Sequence, residues 1–378
     1  AMPDIMQKIL ASARTLPPVP RKEAGAYQHH LDGLIQDVNC ALASEPAIHE
    51  LIGHNPLEMM YENHRHHGAF MATVFNIAHY ELLTKTIPWV YRAFHGHGFS
   101  YEYFPLEMKA WRRAVEERIT THPMKAVRSI YQWMIDIHED MIAASESELP
   151  FAMPVDEEWL DTKNAFLAAL LQGDHRRCLE LAETVVGSHD DVARFYLQIL
   201  QPVMYEIGVL WERGEISVAV EHLASAIVGR VMAALNPRRY EASRFKGKII
   251  ITASPNEFHE IGAWMLSDVL EQDGWEVRYL GADMPAADLI DMVTAYQPDV
   301  LAISVTMPFN VDKVRDLIRK FRDDPKTASL KVIVGGHVFN DIPKLWRLVG
   351  ADGFASNLEE AVRIIGQWSS QPKKDEIA

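Results

Sequence analysis

The spacing of apolar positions changes period along the chain and marks out three zones. From about residue 22 to 148, apolar residues recur every three or four positions, the pattern of amphipathic helices. The spacing predicts a long helix over Leu57–Lys85 and a short one over Pro88–Phe94, ending in His95-Gly96-His97-Gly98. Two more are predicted over Tyr101–Ile119 and Pro123–Ser145. Pro150 and Pro154 make Ser145–Pro154 a linker. The zone 155–238 is again helical. Gly173 and Gly214 separate its helices, and short connections favour an antiparallel four-helix bundle that stops at Asn236-Pro237-Arg238-Arg239.

The third zone, 246–372, alternates strand and helix. Lys248–Ala253, Glu276–Leu280, Val300–Val305, Lys331–Val334 and a weaker stretch near Phe354 read as strands. Gly262–Glu271, Ala286–Tyr296, Val311–Phe321 and a segment from Leu358 read as helices. Such alternation predicts a parallel doubly wound sheet, and five strands favour the flavodoxin-like order with ligands at the C-terminal strand ends. The fold class is therefore multidomain, α and α/β: an all-α domain over 1–150, a helical bundle over 155–238 and a Rossmann-like domain over 246–372.

Composition narrows the function classes. A chain of 378 residues exceeds what one core usually serves. A formal net charge of −15 and the lack of a basic stripe argue against nucleic acid as a partner. Cys40 and Cys178 are too few for a disulfide framework or a Cys-rich zinc site, and suit a reducing cytoplasm. No apolar run is expected to reach membrane-spanning length, and the N-terminus lacks a signal-peptide pattern. Beyond Gln371 only Pro372 and a charged tail, Lys373–Ala378, remain, so output is expected through homo-oligomeric association or a downstream protein partner.

The chemistry concentrates after the first strand of the third zone, in Ser254-Pro255-Asn256-Glu257-Phe258-His259-Glu260-Ile261-Gly262. A neutral imidazole at His259 can bind a metal. Glu257 is near enough to accept a hydrogen bond from its other nitrogen. Gly262 would let the helix start lie close to a bulky ligand. Ser304 and Thr306 end the third strand, and Gly335-Gly336 ends the fourth, where missing side chains would admit a ligand tail.

In this order, Glu257-x-His259-x-x-Gly262, Ser304-x-Thr306 and Gly335-Gly336 resemble the cobalamin-binding family with Asp/Glu-x-His-x-x-Gly, Ser-x-Leu/Thr and Gly-Gly motifs. The resemblance covers roughly residues 155–370. It implies base-off, His-on binding, with His259 as the lower ligand of cobalt and the nucleotide tail passing Ser304, Thr306 and Gly335. Trp211, followed ten and eleven residues later by Glu221-His222, is similar to the cap of the light-sensing cobalamin repressors. That likeness implies adenosylcobalamin: Trp211 against the adenine, Glu221 on the ribose and His222 near the upper face. Light would then break the cobalt–carbon bond and change assembly. Those repressors carry a His directly after the Trp where this chain has Glu212, so the residue taking the upper cobalt position after illumination is open, with His222 a candidate.

The N-terminal zone resembles a globin-type sensor fold, on helix order and on Tyr91–Ser100 with Tyr103-Phe104 and Trp111 following. Such folds carry haem, a bilin or nothing. His66 and His67 are adjacent and cannot share a helix face, which argues against zinc among His64, His66, His67 and His79. A haem would need a His on the short helix, and His95 and His97 lie at its end. No Cys lies at Thr84-Lys85-Thr86, the expected connection where a covalent bilin would attach. A helical sensor domain joined to a light-type cap looks like the photocobilins, which implies biliverdin among the aromatics, with His79, Tyr91, Tyr103 and Arg112 as candidate contacts. The expected function is thus a light sensor rather than an enzyme. The alternative is the corrinoid subunit of a methyltransferase with a structural or haem-binding helical domain.

Overall fold

The structure, a computed structural model, describes residues 4–147, 153–187, 189–235, 245–342 and 344–369. Pro150, Asn236–Arg239 and the tail after Gln371 therefore lie outside the described residues. The chain divides into two compact units, one of Ala1–Pro150 with Leu210–Glu215, the other of Phe151–Val209 with Ile216–Ala378.

The first unit is helical. Its helices run Asp4–Ala13, Arg21–His29, Leu31–Ala43, Ile48–Leu51, Leu57–Ile77, Tyr80–Gly96, Tyr103–Arg118, Lys125–Asp136 and His138–Glu146. The long helix predicted to Lys85 ends instead at Ile77, where Ala78 turns left-handed at φ 54°. Pro88, read as a helix start, sits inside Tyr80–Gly96. It cannot donate to the Thr84 carbonyl, at a cost of about 3 kcal/mol. Burial of Leu83, Ile87, Tyr91 and Ala93 on the same helix offsets that cost. Thr84-Lys85-Thr86 is consequently helical and not a connection. The helix predicted over Pro123–Ser145 is two helices broken at Ile137, whose ψ of 12° leaves the helical range.

The core of this unit is aromatic and carries polar groups within it. Trp111, Tyr27, Tyr103, Tyr131, Phe75 and Phe99 are fully buried. The Tyr27 and Tyr131 hydroxyls lie 2.7 Å apart. His64 has Nδ1 2.6 Å from Asn39 Oδ1 and Nε2 2.7 Å from the Tyr103 hydroxyl. Burial pulls the pKa of both His64 and His67 down to about 3, so both are neutral. Glu23 accepts the Ala126 and Val127 N–H groups at 3.0 and 3.2 Å, tying Arg21–His29 to the start of Lys125–Asp136. Glu107 accepts only from Trp111 Nε1 among the hydrogen bonds described, at 3.2 Å, and burial pushes its pKa up to about 8.

The second unit joins a helical bundle to a sheet. The bundle helices are Glu157–Leu171, His175–Val185, His189–Phe195 running through a π turn at Tyr196–Leu200 into Gln201–Glu212, and Val218–Leu235. Phe166, Phe195, Tyr196, Ile199, Leu200 and Val228 fill its core, and Met265 from the α/β part joins them. The expectation about membrane-length runs needs correction. Val218–Leu235 is long and apolar enough to cross a membrane, with mean hydropathy 1.5. Its inner face, Ala224, Ile227, Val228, Val231 and Met232, is bundle core. At the π turn the Tyr196 hydroxyl donates to Asp268 at 2.5 Å, and burial pushes Asp268 up to about 6.

The strands are β1 Gly247–Ala253, β2 Trp275–Tyr279, β3 Val300–Ser304, β4 Lys331–Gly335 and β5 Gly353–Phe354. All pairs are parallel and the order is β2-β1-β3-β4-β5, the flavodoxin-like order. β1, β3 and β4 carry continuous buried apolar runs because helices cover both faces. The register aligns Ala253, Ser304 and Gly335 along one line of strand ends.

The buried ionisable groups of the first unit set a pH dependence. Glu107 is raised from its ordinary 4.5, so its contribution falls as pH rises from about 5 to about 8. The two histidines are lowered from 6.5, so theirs falls as pH drops below about 6. Glu107→Gln should remove the alkaline-side loss, on the order of a few kcal/mol, in denaturant unfolding measured from pH 5 to 8. An unchanged slope would show that Glu107 ionises freely.

Candidate functional site: a histidine at the strand ends

The site is built on one carboxylate. β1 ends at Ala253, and the following loop is pinned by Ser254 N–H to the Ser304 carbonyl at 3.0 Å. Asn256 takes a left-handed φ of 62°, which turns Glu257 inward. Glu257 is fully buried. Its Oε1 accepts His259 Nδ1 at 2.6 Å and His259 N–H at 3.2 Å. Its Oε2 accepts the Thr306 and Met307 N–H groups at 2.9 and 2.8 Å and Asn310 Nδ2 at 3.3 Å. Asn310, also fully buried, donates to the Asn256 carbonyl at 3.0 Å. Two loops, after β1 and after β3, are thereby locked through one residue.

This arrangement fixes the imidazole. Nδ1 is committed to Glu257, which leaves Nε2 as the nitrogen able to bind a metal. The His259 side chain is 57% exposed while its partner is 0%. Burial works against the charge of Glu257, but the bonds from His259, Met307 and Thr306 hold its pKa below the usual carboxylate value. The His259 ring likewise loses solvent, yet the hydrogen bond and charge of Glu257, with the charge of Glu221, lift its pKa above 6.5.

The surroundings fit a large flat cofactor bound through that nitrogen. A Cβ on Gly262 would meet nothing within 4 Å, so the helix start beside His259 is open. Phe258, next to it, is 69% exposed, an apolar ring facing outward. A Cβ on Gly335 would meet only the Ala355 carbonyl. Gly336 differs from the expectation of an opening for a ligand tail. Its φ is 101°, and a Cβ there would overlap the Val305 backbone, so the glycine serves a close crossing of the β3 and β4 loops.

The other predicted residues are distributed as follows. Glu221 accepts Ser225 Oγ at 3.0 Å and lies 3.6 Å from His222 Nδ1, whose side chain is 74% exposed. Trp211 falls in the first unit, its ring 4.8 Å from that of His97. Tyr91 stacks on Phe104 at 3.8 Å and meets His138 Nδ1 at 3.0 Å, and Tyr103 shares that aromatic cluster through Phe104 at 5.9 Å. Arg112 instead pairs with Gln132. His79 lines a cleft of about 220 Å³ with Leu10, Ala13, Arg14 and Tyr80. The structure therefore brings Tyr91 and Tyr103 into one cluster, while His79 and Arg112 have other neighbours. Among the described residues, no three His, Cys, Asp or Glu side chains converge as metal ligands. Asn310 and Phe258 escaped the sequence reading. A polar residue six positions past Ser304, just before the helix Val311–Asp323, was the available signal for the first.

His259→Ala should weaken binding of added cobalamin or remove its His-on absorption spectrum, and Asn310→Ala should weaken binding roughly tenfold by freeing Glu257. Unchanged spectra for His259→Ala would remove it as the cobalt ligand.

Two stretches match known families. Residues 247–365 match the B12 binding domain, and residues 162–236 match a second family of the same description. Dimethylamine corrinoid protein 3 of Methanosarcina acetivorans is 30% identical over 161 residues, 42% of this chain and 74% of that protein. The HTH-type transcriptional repressor CarH of Myxococcus xanthus is 26% identical over 230 residues, 61% of this chain and 73% of the repressor. Among solved structures, the monomethylamine corrinoid protein of Methanosarcina barkeri has the same fold, with TM-score 0.50 and 18% identity, covering 55% of this chain and 99% of that one. Through residues 162–236 and 247–365, this chain belongs to the B12-binding family of corrinoid proteins.

Proposed function

We propose that the chain is a light sensor that holds adenosylcobalamin base-off, with His259 below cobalt and Trp211, Glu221 and His222 serving the adenosyl side. The observation that carries this reading is Glu221, which lies on the bundle helix that follows Trp211, accepts Ser225 Oγ at 3.0 Å and has His222 Nδ1 at 3.6 Å. A carboxylate held there by Ser225 can accept a hydrogen bond from a ribose hydroxyl. The relation to CarH supports it. Adenosylcobalamin supplies a cobalt–carbon bond that light breaks. The chain's own residues then decide what the break does, by releasing or holding the bundle helices that carried the adenosyl group. Changed homo-oligomer assembly, or changed activity of a downstream partner, is the output, in a cytoplasmic setting without nucleic acid or membrane.

We assign biliverdin to the first unit, as the photocobilin likeness implies, with the unit in a globin-like role. The aromatic cluster around Tyr91 and Tyr103 gives a tetrapyrrole flat partners. His67 Nε2 and His138 Nε2 are buried without hydrogen-bond partners, and pyrrole or carbonyl groups can satisfy them. A second reading, the corrinoid subunit of a methyltransferase, is favoured by the dimethylamine relatives. It leaves Trp211, Glu221 and His222 without a task.

The test is an absorption spectrum of the full chain with adenosylcobalamin and biliverdin, before and after green light. Cobalamin bands that convert, beside a bound far-red band, are expected. Trp211→Ala or His222→Ala should alter adenosyl binding or dark assembly. A light-stable protein that prefers methylcobalamin and binds no bilin would support the second reading instead.

A further inference from the structure

Leu210–Glu215 belongs to the first unit, although the chain on both sides of it belongs to the second. Three contacts seat this segment. Glu212 pairs with Arg92 Nε, the two side chains only 11% and 17% exposed. Arg92 Nη1 also donates to the Ser145 carbonyl at 2.8 Å. The Trp211 ring lies 4.8 Å from the His97 ring at 43°. Gly214, at φ 70°, meets Gly96 backbone to backbone: a Cβ on Gly214 would overlap the Gly96 carbonyl, and one on Gly96 the Glu212 carbonyl. The receiving turn is itself held, since Asn55 Nδ2 donates to the His97 and Ile52 carbonyls at 2.8 and 2.7 Å.

An exposed ion pair of this kind contributes little, but one this enclosed is costly to break from either side, because the remaining charge stays desolvated. The contacts fall on Glu212, the residue after Trp211, on Gly214 two positions beyond Glu212, and on the Trp211 ring. They also account for the departure at position 212. Where the light-sensing repressors have a His, Glu212 is committed to Arg92.

We propose that Arg92 and Glu212 are positioning residues for Trp211, and that through this tether the state of the cofactor's upper face is felt at the last turn of Tyr80–Gly96. The proposal rests on the reading of Trp211 as part of the adenosyl side. A change that moves Trp211 pulls on the last turn of Tyr80–Gly96, the helix that also carries Tyr91.

Hydrogen exchange of the full chain, read by mass spectrometry, tests this. Peptides covering 94–98 and 210–215 are followed without cofactor, with adenosylcobalamin in the dark, and after green light, while absorption reports binding separately. In the wild type, both peptides should slow together on loading and speed up together after light. Glu212→Gln and Arg92→Gln should raise exchange over 210–215 about tenfold, equivalent to about 1.4 kcal/mol, and abolish the cofactor response at 94–98. The exchanged pair, Arg92→Glu with Glu212→Arg, should restore both. Bound cobalamin with an unchanged 94–98 peptide, wild-type responses in the single variants, or a folded exchanged pair that restores nothing would each overturn the tether. Failure to bind cobalamin at all would instead overturn the reading on which it rests.

Discussion

The site depends on one buried carboxylate receiving five donors. Glu257 has no solvent to stabilise its charge, so it is tolerable only while His259, Thr306, Met307 and Asn310 all stay in place. The dependence runs in both directions. The β1 and β3 loops are held by Glu257, and Glu257 is held by them. The imidazole is therefore aimed before any cofactor arrives, and little side-chain freedom is left to lose on binding.

The bundle that precedes the sheet in sequence has an anchor of its own. The π turn at Tyr196–Leu200 inserts an extra residue into a helix that runs from His189 to Glu212. Tyr196 is anchored to Asp268 of the α/β part at that point, so the register of everything C-terminal to it is set by the turn. Trp211 lies four helical turns further along.

The α/β part was largely legible in the sequence because its signals are local. Strands of Val and Ile are bounded by loops, and the Glu257-x-His259-x-x-Gly262 motif falls where a parallel sheet places ligands. The contacts of the site were less legible. Asn310 is polar like many loop residues, and nothing nearby announces that it reaches back to Glu257. Gly336 looked like an opening, whereas the backbone of Val305 occupies the space. In the helical unit the stop after Ile77 uses Ala78 in a conformation that glycine normally signals, and Pro88 mimics the start it is not. The partners of Trp211 and Glu212 stand more than a hundred positions away, which spacing cannot reveal.

The two borders of the sheet constrain how copies of this chain can meet. β5 is two residues long, too short to template another strand. β2, the opposite border, alternates Glu276 and Arg278 outward. Arg278 lies over the Tyr296 ring at 3.6 Å, and the Tyr296 hydroxyl donates to Glu276 at 2.8 Å. A strand added there would have to displace these charges. Sheet continuation between molecules is disfavoured at both borders, which keeps the strand edges from nucleating aggregates.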